Sequence, residues 1–385
     1  MSLNFVTALL QQNSAKETSS AFSPLALGAS LASIYSGSNG PTQQEFYDLF
    51  QLRSHQEVIR RFSAFVSETQ APNATVKIAM INKILVKNEL EMKPEWESHV
   101  GKLFGVEVIK CDFEKENDVT KVMNQECSQK TSGIIKHIVA ADNFSTQKNI
   151  NVMLISGACF KGLWPRPFRP PVNRPFFGKS NQRSEPFLVK KVNVLMNFED
   201  SSVDVAGISY RDSTYKLWIF LPKKGISLRS WIDSIDGESL NDLMIGALRE
   251  KCCLEIPVFK IESYIRTKRN LQKLGLNQVF TGNADLSGIS TSPTFISDAT
   301  HKTVFEVNEA GEKQPTESGS ANEFIRTAVD KKFIANRPFM YLVTHNKTDY
   351  PFCVLPKAVQ LVHTTSYGCP TCTYAQLLKA QLHRN

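Results

Sequence analysis

No stretch of this chain approaches the roughly 20 consecutive apolar residues that a membrane-spanning helix requires, so no membrane partner is expected. The opening residues, Met1-Ser-Leu-Asn-Phe-Val-Thr-Ala-Leu-Leu-Gln-Gln12, lack a basic start, a long apolar run and a small-residue cleavage site. A secretory signal is therefore absent from the reading, and an intracellular (cytoplasmic) protein is expected, with an extracellular one as the alternative for a trimmed chain. Leu3, Val6, Leu9 and Leu10 fall on one helical face instead. No segment joins high charge to low hydrophobicity, which excludes a disordered tract of that kind. Internal repeats and low-complexity linkers are missing too, so nothing forces a domain boundary.

Catalytic signatures are equally scarce. The seven histidines form no His-Glu-x-x-His, and there is no Gly-x-Ser-x-Gly elbow, P-loop or dinucleotide-binding glycine pattern. No enzyme and no cofactor are expected. Zinc-finger and RNA-binding signatures are absent, and no nucleic-acid partner is expected. Eight cysteines are scattered along a chain too large to need stapling, so they read as mostly reduced and at least partly buried. Cys369-Pro-Thr-Cys372 is a lone pair with no second pair or histidine couple to complete a zinc site, and no metal is expected.

What is present is a chain of 385 residues, 42% hydrophobic and with a net charge of +8, enough to bury one large core or two modest ones. Part of the positive excess is local. Lys161, Arg166, Arg169, Arg174, Lys179, Arg183, Lys190 and Lys191 face a single acid, Glu185, which makes the stretch 161–191 a candidate polyanion or partner site, with a solvated loop face as the ordinary alternative. Ser23 can cap a helix with Pro24 in its first turn. Gln43–Phe50, Gln56–Phe65 and the segment behind Pro94 read as further helices, and Val119, Val122 and Met123 belong to one that should end near Ser132-Gly133. Val76–Val86, Asn151–Ile155, Tyr215–Leu221, Val304–Val307 and Phe339–Val343 read as strands, the second and third buried on both faces. Helices enrich the first third and strands the rest, which argues for an α+β fold.

Seven motifs occur in order. They are Phe22-Ser-Pro-Leu25, Thr131-Ser-Gly-Ile-Ile135, Cys159-Phe-Lys-Gly-Leu-Trp-Pro-Arg-Pro-Phe168, Ile256-Pro-Val-Phe-Lys260, Asn283-Ala-Asp-Leu-Ser-Gly-Ile-Ser290, Val304-Phe-Glu-Val-Asn-Glu-Ala-Gly311 and Phe333-Ile-Ala-Asn-Arg-Pro-Phe339. Each alone is weak; together they closely resemble the serpin family. The resemblance implies one domain over residues 1–355, with three β-sheets, about nine helices and an exposed reactive-centre loop at about 311–332, followed by an unassigned tail, 356–385. It also implies a monomer whose partner is a serine protease, or a cysteine protease, trapped as a suicide substrate when its cut loop inserts into the central sheet. Counted from Gly311, the reactive bond falls at Ile325-Arg326; a shift of one residue makes Phe324 or Arg326 the bait.

The resemblance also casts Glu309, Gly311, Glu312, Gln314 and Pro315 as the hinge, and Ser23, Ser156 and His301 as the polar shutter beneath the sheet. Ser156 stands where the family usually has asparagine. Glu312, Gln314, Thr316 and Ser318 would point inward on insertion, and burying an unpaired Glu312 carboxylate is costly. Pro315 cannot donate to a central ladder. The hinge thus departs from the inhibitory pattern, which leaves open a non-inhibitory binding, chaperone or storage scaffold.

Overall fold

A computed structural model describes residues 3–13, 19–51, 54–70, 75–140, 142–145, 150–178, 182–310, 331–346 and 350–357. Its helices are α1 (Leu3–Asn13), α2 (Pro24–Tyr35), α3 (Gly40–Phe50), α4 (His55–Gln70), α5 (Pro94–Phe104), α6 (Glu116–Lys130), α7 (Asp142–Ser145), α8 (Leu228–Ser234), α9 (Gly237–Ile245) and α10 (Lys268–Lys273). The strands are β1 (Val76–Lys87), β2 (Val106–Cys111), β3 (Val152–Gly162), β4 (Val172–Phe177), β5 (Gln182–Asn197), β6 (Val203–Ser209), β7 (Tyr215–Pro222), β8 (Leu248–Pro257), β9 (Phe259–Arg266), β10 (Ile296–Val307), β11 (Lys331–Ile334), β12 (Phe339–His345) and β13 (Tyr350–Lys357).

A five-stranded central sheet runs in the order β2-β1-β3-β10-β9. The other strands form one ladder, β11-β8-β5-β6-β7-β12-β13, with β4 beside β5. Two of the three expected sheets are hydrogen-bonded into this ladder, because the long β5 pairs with β4 in its first part, with β8 from Phe187 to Met196, and with β6 at Leu195–Asn197. The strands at the heart of both layers are buried on both faces, as the apolar runs at Asn151–Ile155 and Tyr215–Leu221 predict.

The central sheet separates two apolar layers. Val152, Leu154, Ala158 and Phe160 of β3 face the main core, where the wholly buried α2 lies beneath the sheet. Met153, Ile155 and Cys159 face the other side and pack with Met123 and Cys127 of α6. Period-two alternation along β3 thus supplies both layers.

Local chemistry sets the helix limits. The Ser23 hydroxyl accepts from the Ala26 N–H with Pro24 in the first turn, so α2 starts where its sequence places it. Glu116 and Asp118 open α6 and Lys130 closes it, in line with the helix dipole. After Thr131 the backbone turns left-handed at Ser132 and Gly133, the stop expected from the sequence.

Candidate functional site

Ser156 and His301 are brought together under the middle of the central sheet. They are direct register partners on β3 and β10, and Asn82 of β1 is the partner of Ser156 on its other side. Asn82, Ser156 and His301 therefore form one polar row across three strands, all buried. Helix α2 meets both ends of that row. The Ser30 hydroxyl donates to Asn82 Oδ1 at 3.2 Å, and the Ser23 backbone N–H donates to His301 Nε2 at 2.8 Å.

These contacts fix the state of the imidazole. A backbone N–H can only donate, so Nε2 must carry the lone pair and the proton sits on Nδ1. The Thr303 hydroxyl also donates to Nε2, at 2.8 Å. Nδ1–H then donates to Ser156 Oγ at 2.8 Å, and the Ser156 hydroxyl in turn donates to the Thr300 carbonyl at 3.2 Å. Burial of His301 lowers its pKa to about 3, so the ring is neutral at physiological pH. The serine at position 156 is satisfied as one donor and one acceptor. The Ser23 contact is made by the main chain; its hydroxyl caps α2. Asn82, Ser30 and Thr303 escaped the sequence reading. The one available signal was an asparagine inside the apolar run Val76–Val86.

The outer face of the sheet carries a second polar cluster that the sequence did not announce. Lys83 on β1, 1% exposed, reaches Glu107 Oε2 on β2 and Glu126 Oε2 on α6, each at 2.6 Å. Lys130 also pairs with Glu107. Burial works against the ammonium, but its hydrogen bonds to the two carboxylates outweigh this and hold the Lys83 pKa above its usual value. Burial likewise opposes the Glu107 charge, and Lys130 and Lys83 overcome it to hold that pKa low.

At its far end β10 runs to Val307 beside β3, with Glu306 opposite Lys161. The next three residues are held by the segment after β3. Trp164 Nε1 donates to the Asn308 carbonyl at 2.7 Å, Phe168 N to that of Glu309 at 3.0 Å, and Trp164 N to that of Ala310 at 3.1 Å. Trp164 is 2% exposed and stacks on Tyr210 with centroids 4.6 Å apart, so it is core, as are Phe160, Phe259 and Phe280. Gly162 is a close-approach position: a Cβ there would lie 2.4 Å from the Tyr210 ring. Glu309 is half-buried at this base. Gly311, Glu312, Gln314, Pro315, Phe324, Ile325 and Arg326 lie outside the described residues, as does Cys369-Pro-Thr-Cys372.

Cys111, Cys127, Cys159, Cys252 and Cys253 are free thiols, buried or half-buried. Among the described residues no cluster could hold a metal ion, and no helix is long and apolar enough to cross a membrane. Within the basic stretch, Lys161 pairs with Glu306 and Arg174 with Glu255. Asn143 is fully buried, and its Oδ1 accepts from the Ala140 N–H.

The family model of the serpins, serine protease inhibitors, matches residues 1–354. The chain is 26% identical to rat leukocyte elastase inhibitor A over 340 residues, 85% of this chain and 89% of that protein. Uncleaved ovalbumin superposes with a TM-score of 0.85 at 19% identity, covering 93% of this chain and 98% of its own. Human thyroxine-binding globulin in complex with thyroxine gives a TM-score of 0.81 at 20% identity, over 92% of this chain and 95% of its own. The family is one of inhibitors, not of catalysts. With an ordered set of motifs, a fold and a family match that agree along the chain, the protein belongs to the serpin family.

Proposed function

We propose that this serpin is a suicide-substrate inhibitor of a serine protease. Residues 1–355 form the inhibitory domain, and the bait bond is Ile325-Arg326. The observation that carries the reading is the pairing of β3 with β10. These strands are parallel neighbours from Val152/Ile296 to Lys161/Glu306, and β10 leads directly into the segment that ends at β11. A segment folding back from Val307 between them would run antiparallel to both. Insertion therefore exchanges one parallel ladder for two antiparallel ones, which is the more favourable pairing. An intact loop is anchored at β10 and at β11, on different sheets, and cannot make that exchange; cleavage frees it. The protease supplies the nucleophile and stays acylated on the loop as the sheet closes.

The polar row is the natural lock on this exchange. Parting β3 from β10 separates Ser156 from His301 and strips the Nδ1–H of its acceptor unless another group replaces it. The five described thiols suit a reducing, intracellular setting for the target.

Mixing the protein with elastase-, chymotrypsin- and trypsin-like serine proteases and a papain-like cysteine protease tests the proposal. An SDS-resistant covalent complex with a serine protease is the expected result, with the released C-terminal fragment starting at Arg326. Cleavage without a complex for all four would reject trapping. A second reading rests on Glu312 and Pro315, whose side chains oppose insertion. Under it, the chain is a substrate-type serpin that uses the fold as a binding scaffold, a use illustrated by a relative of this fold named for the thyroxine it binds. Unchanged thermal stability after loop cleavage selects that reading.

A further inference from the structure

Asn39-Gly40 is the single asparagine–glycine pair in the sequence, and the fold has a use for each residue. The pair enters α3 from the turn that follows α2, and both residues are exposed. The backbone turns left-handed at Gly40, with a φ of 52°, a conformation that disfavours any residue with a Cβ. Asn39 stands at the N-cap of α3, where Asn is among the preferred residues, and its carbonyl accepts from the Gln43 N–H at 3.1 Å. Its side chain, however, makes no capping bond to the helix.

That side chain is held by a distant part of the chain instead. The turn 36–40 is stitched to residues 285–289: the Asn39 N–H donates to the Asp285 carbonyl at 3.0 Å, and the Gly288 N–H to the Gly37 carbonyl at 3.0 Å. The two backbones run so close that a Cβ on Gly288 would lie 2.7 Å from the Gly37 carbonyl oxygen. Asn39 Nδ2 donates to Ser287 Oγ at 2.9 Å, and the Ser287 hydroxyl donates to Asp285 Oδ1 at 2.7 Å. The Asp285 N–H in turn donates to Thr42 Oγ1 at 2.9 Å. The Gly40 N–H, in the first turn of α3, has no acceptor within that helix.

We propose that Asn39 is a site of spontaneous deamidation whose pace is set by its hold on Ser287. The Gly40 nitrogen gives up its proton and attacks Asn39 Cγ, with no Cβ at position 40 to obstruct the approach. A C–N bond forms, the Cγ–Nδ2 bond breaks, and the amide group takes a proton from solvent and leaves as ammonia. Water then opens the five-membered imide at one of its two carbonyls. Opening at Cγ gives aspartate; opening at the main-chain carbonyl gives isoaspartate, in which the chain runs through the former side chain. Water is the sole co-reactant. Both products set a carboxylate beside Asp285 and lose the donor to Ser287. Isoaspartate also displaces the carbonyl that accepts from the Gln43 N–H, and so loosens the first turn of α3. The reaction is independent of protease trapping.

The test ages the full chain at physiological pH and temperature and follows each asparagine by peptide mass spectrometry, with isoaspartate scored by a protein isoaspartyl methyltransferase. Asn39 should convert before any other asparagine, at a rate that rises with hydroxide concentration because the attacking nitrogen must be deprotonated. Ser287→Ala, at an exposed position, frees the amide and should speed conversion roughly three- to tenfold, the worth of one hydrogen bond. The chain unfolded in guanidinium should convert at least about tenfold faster than the folded one, because the whole seam is then open. Asn39→Ser keeps a capping residue without a leaving amide and should abolish the methyl-accepting product. An intact Asn39 in the folded chain once the unfolded chain has fully reacted, faster conversion at another asparagine, or an unchanged rate in Ser287→Ala would each overturn the proposal.

Discussion

Lys83 and Glu126 meet at 2.6 Å across the outer face of the central sheet, joining a buried strand ammonium to the helix that crosses it. Helix α6 buries only Met123 and Cys127 as residues in their own right, so this ion pair is a substantial part of its attachment. The same ammonium ties β2 to the cluster through Glu107.

Replacing Lys83 with Met keeps the apolar stem and removes the charge. Because both carboxylates are more than 40% exposed, water recovers part of the loss. The expected destabilisation is about 1–2 kcal/mol, below that of a fully buried pair. Urea midpoints for Lys83→Met, Glu126→Gln and the double variant check it; strictly additive effects would mean that the pair is not coupled. The folded-state pKa of Glu107 is depressed, so its contribution is complete above the ordinary value of 4.5 and disappears as pH falls through the lowered value. Lys83→Met should therefore flatten the acid limb of the stability profile.

His301 has the opposite charge type but the same direction of pH dependence. Its folded-state pKa is near 3 against 6.5 for the free side chain. Protons bind the unfolded chain first, so stability is complete above 6.5 and falls as pH drops toward 3. Between pH 7 and pH 5 this residue alone should cost about 2 kcal/mol. His301→Gln should be less stable at pH 7 yet lose less on acidification; a wild-type urea midpoint that does not change between these pH values would contradict the buried neutral ring.

Ser156→Ala deletes the acceptor of the His301 Nδ1–H and leaves that donor buried. The expected loss is about 1–3 kcal/mol. Ser156→Asn restores an acceptor and should recover part of it if the added volume is accommodated. Comparison of melting temperatures for the three proteins is the check, and an Ala variant as stable as the parent would show that the row carries no net energy.

Glu312→Thr together with Pro315→Ala removes one carboxylate and one missing N–H donor from the inserting strand. The ratio of covalent complex to cleaved protein should rise by at least threefold, since each change lowers the cost of insertion by more than about 1 kcal/mol. Gel densitometry after reaction with the preferred protease measures it. An unchanged ratio would clear both residues of blame.

Much of the candidate site was legible because it is local or carried by short motifs. Ser23 before Pro24 specifies the start of α2 through a cap and a fixed φ, and the apolar runs at Val152 and Tyr215 announce strands covered on both sides. Ser156 and His301 were recognisable through their motif surroundings. Asn82, Ser30 and Thr303 were not, because a hydrogen bond between residues far apart in the chain depends on strand register, which periodicity alone does not reveal.

The sequence by itself determined the α+β character, through periodicity, and the family, through an ordered set of short motifs. Both are local: spacing and caps are read along one dimension, and the family enters through the resemblance those motifs carry. Only the tertiary structure decided that Lys83 clamps α6 and that His301 is a neutral Nδ1–H tautomer. Each of those depends on which strands are neighbours and in what register, a choice made by long-range pairing and burial rather than by any local segment.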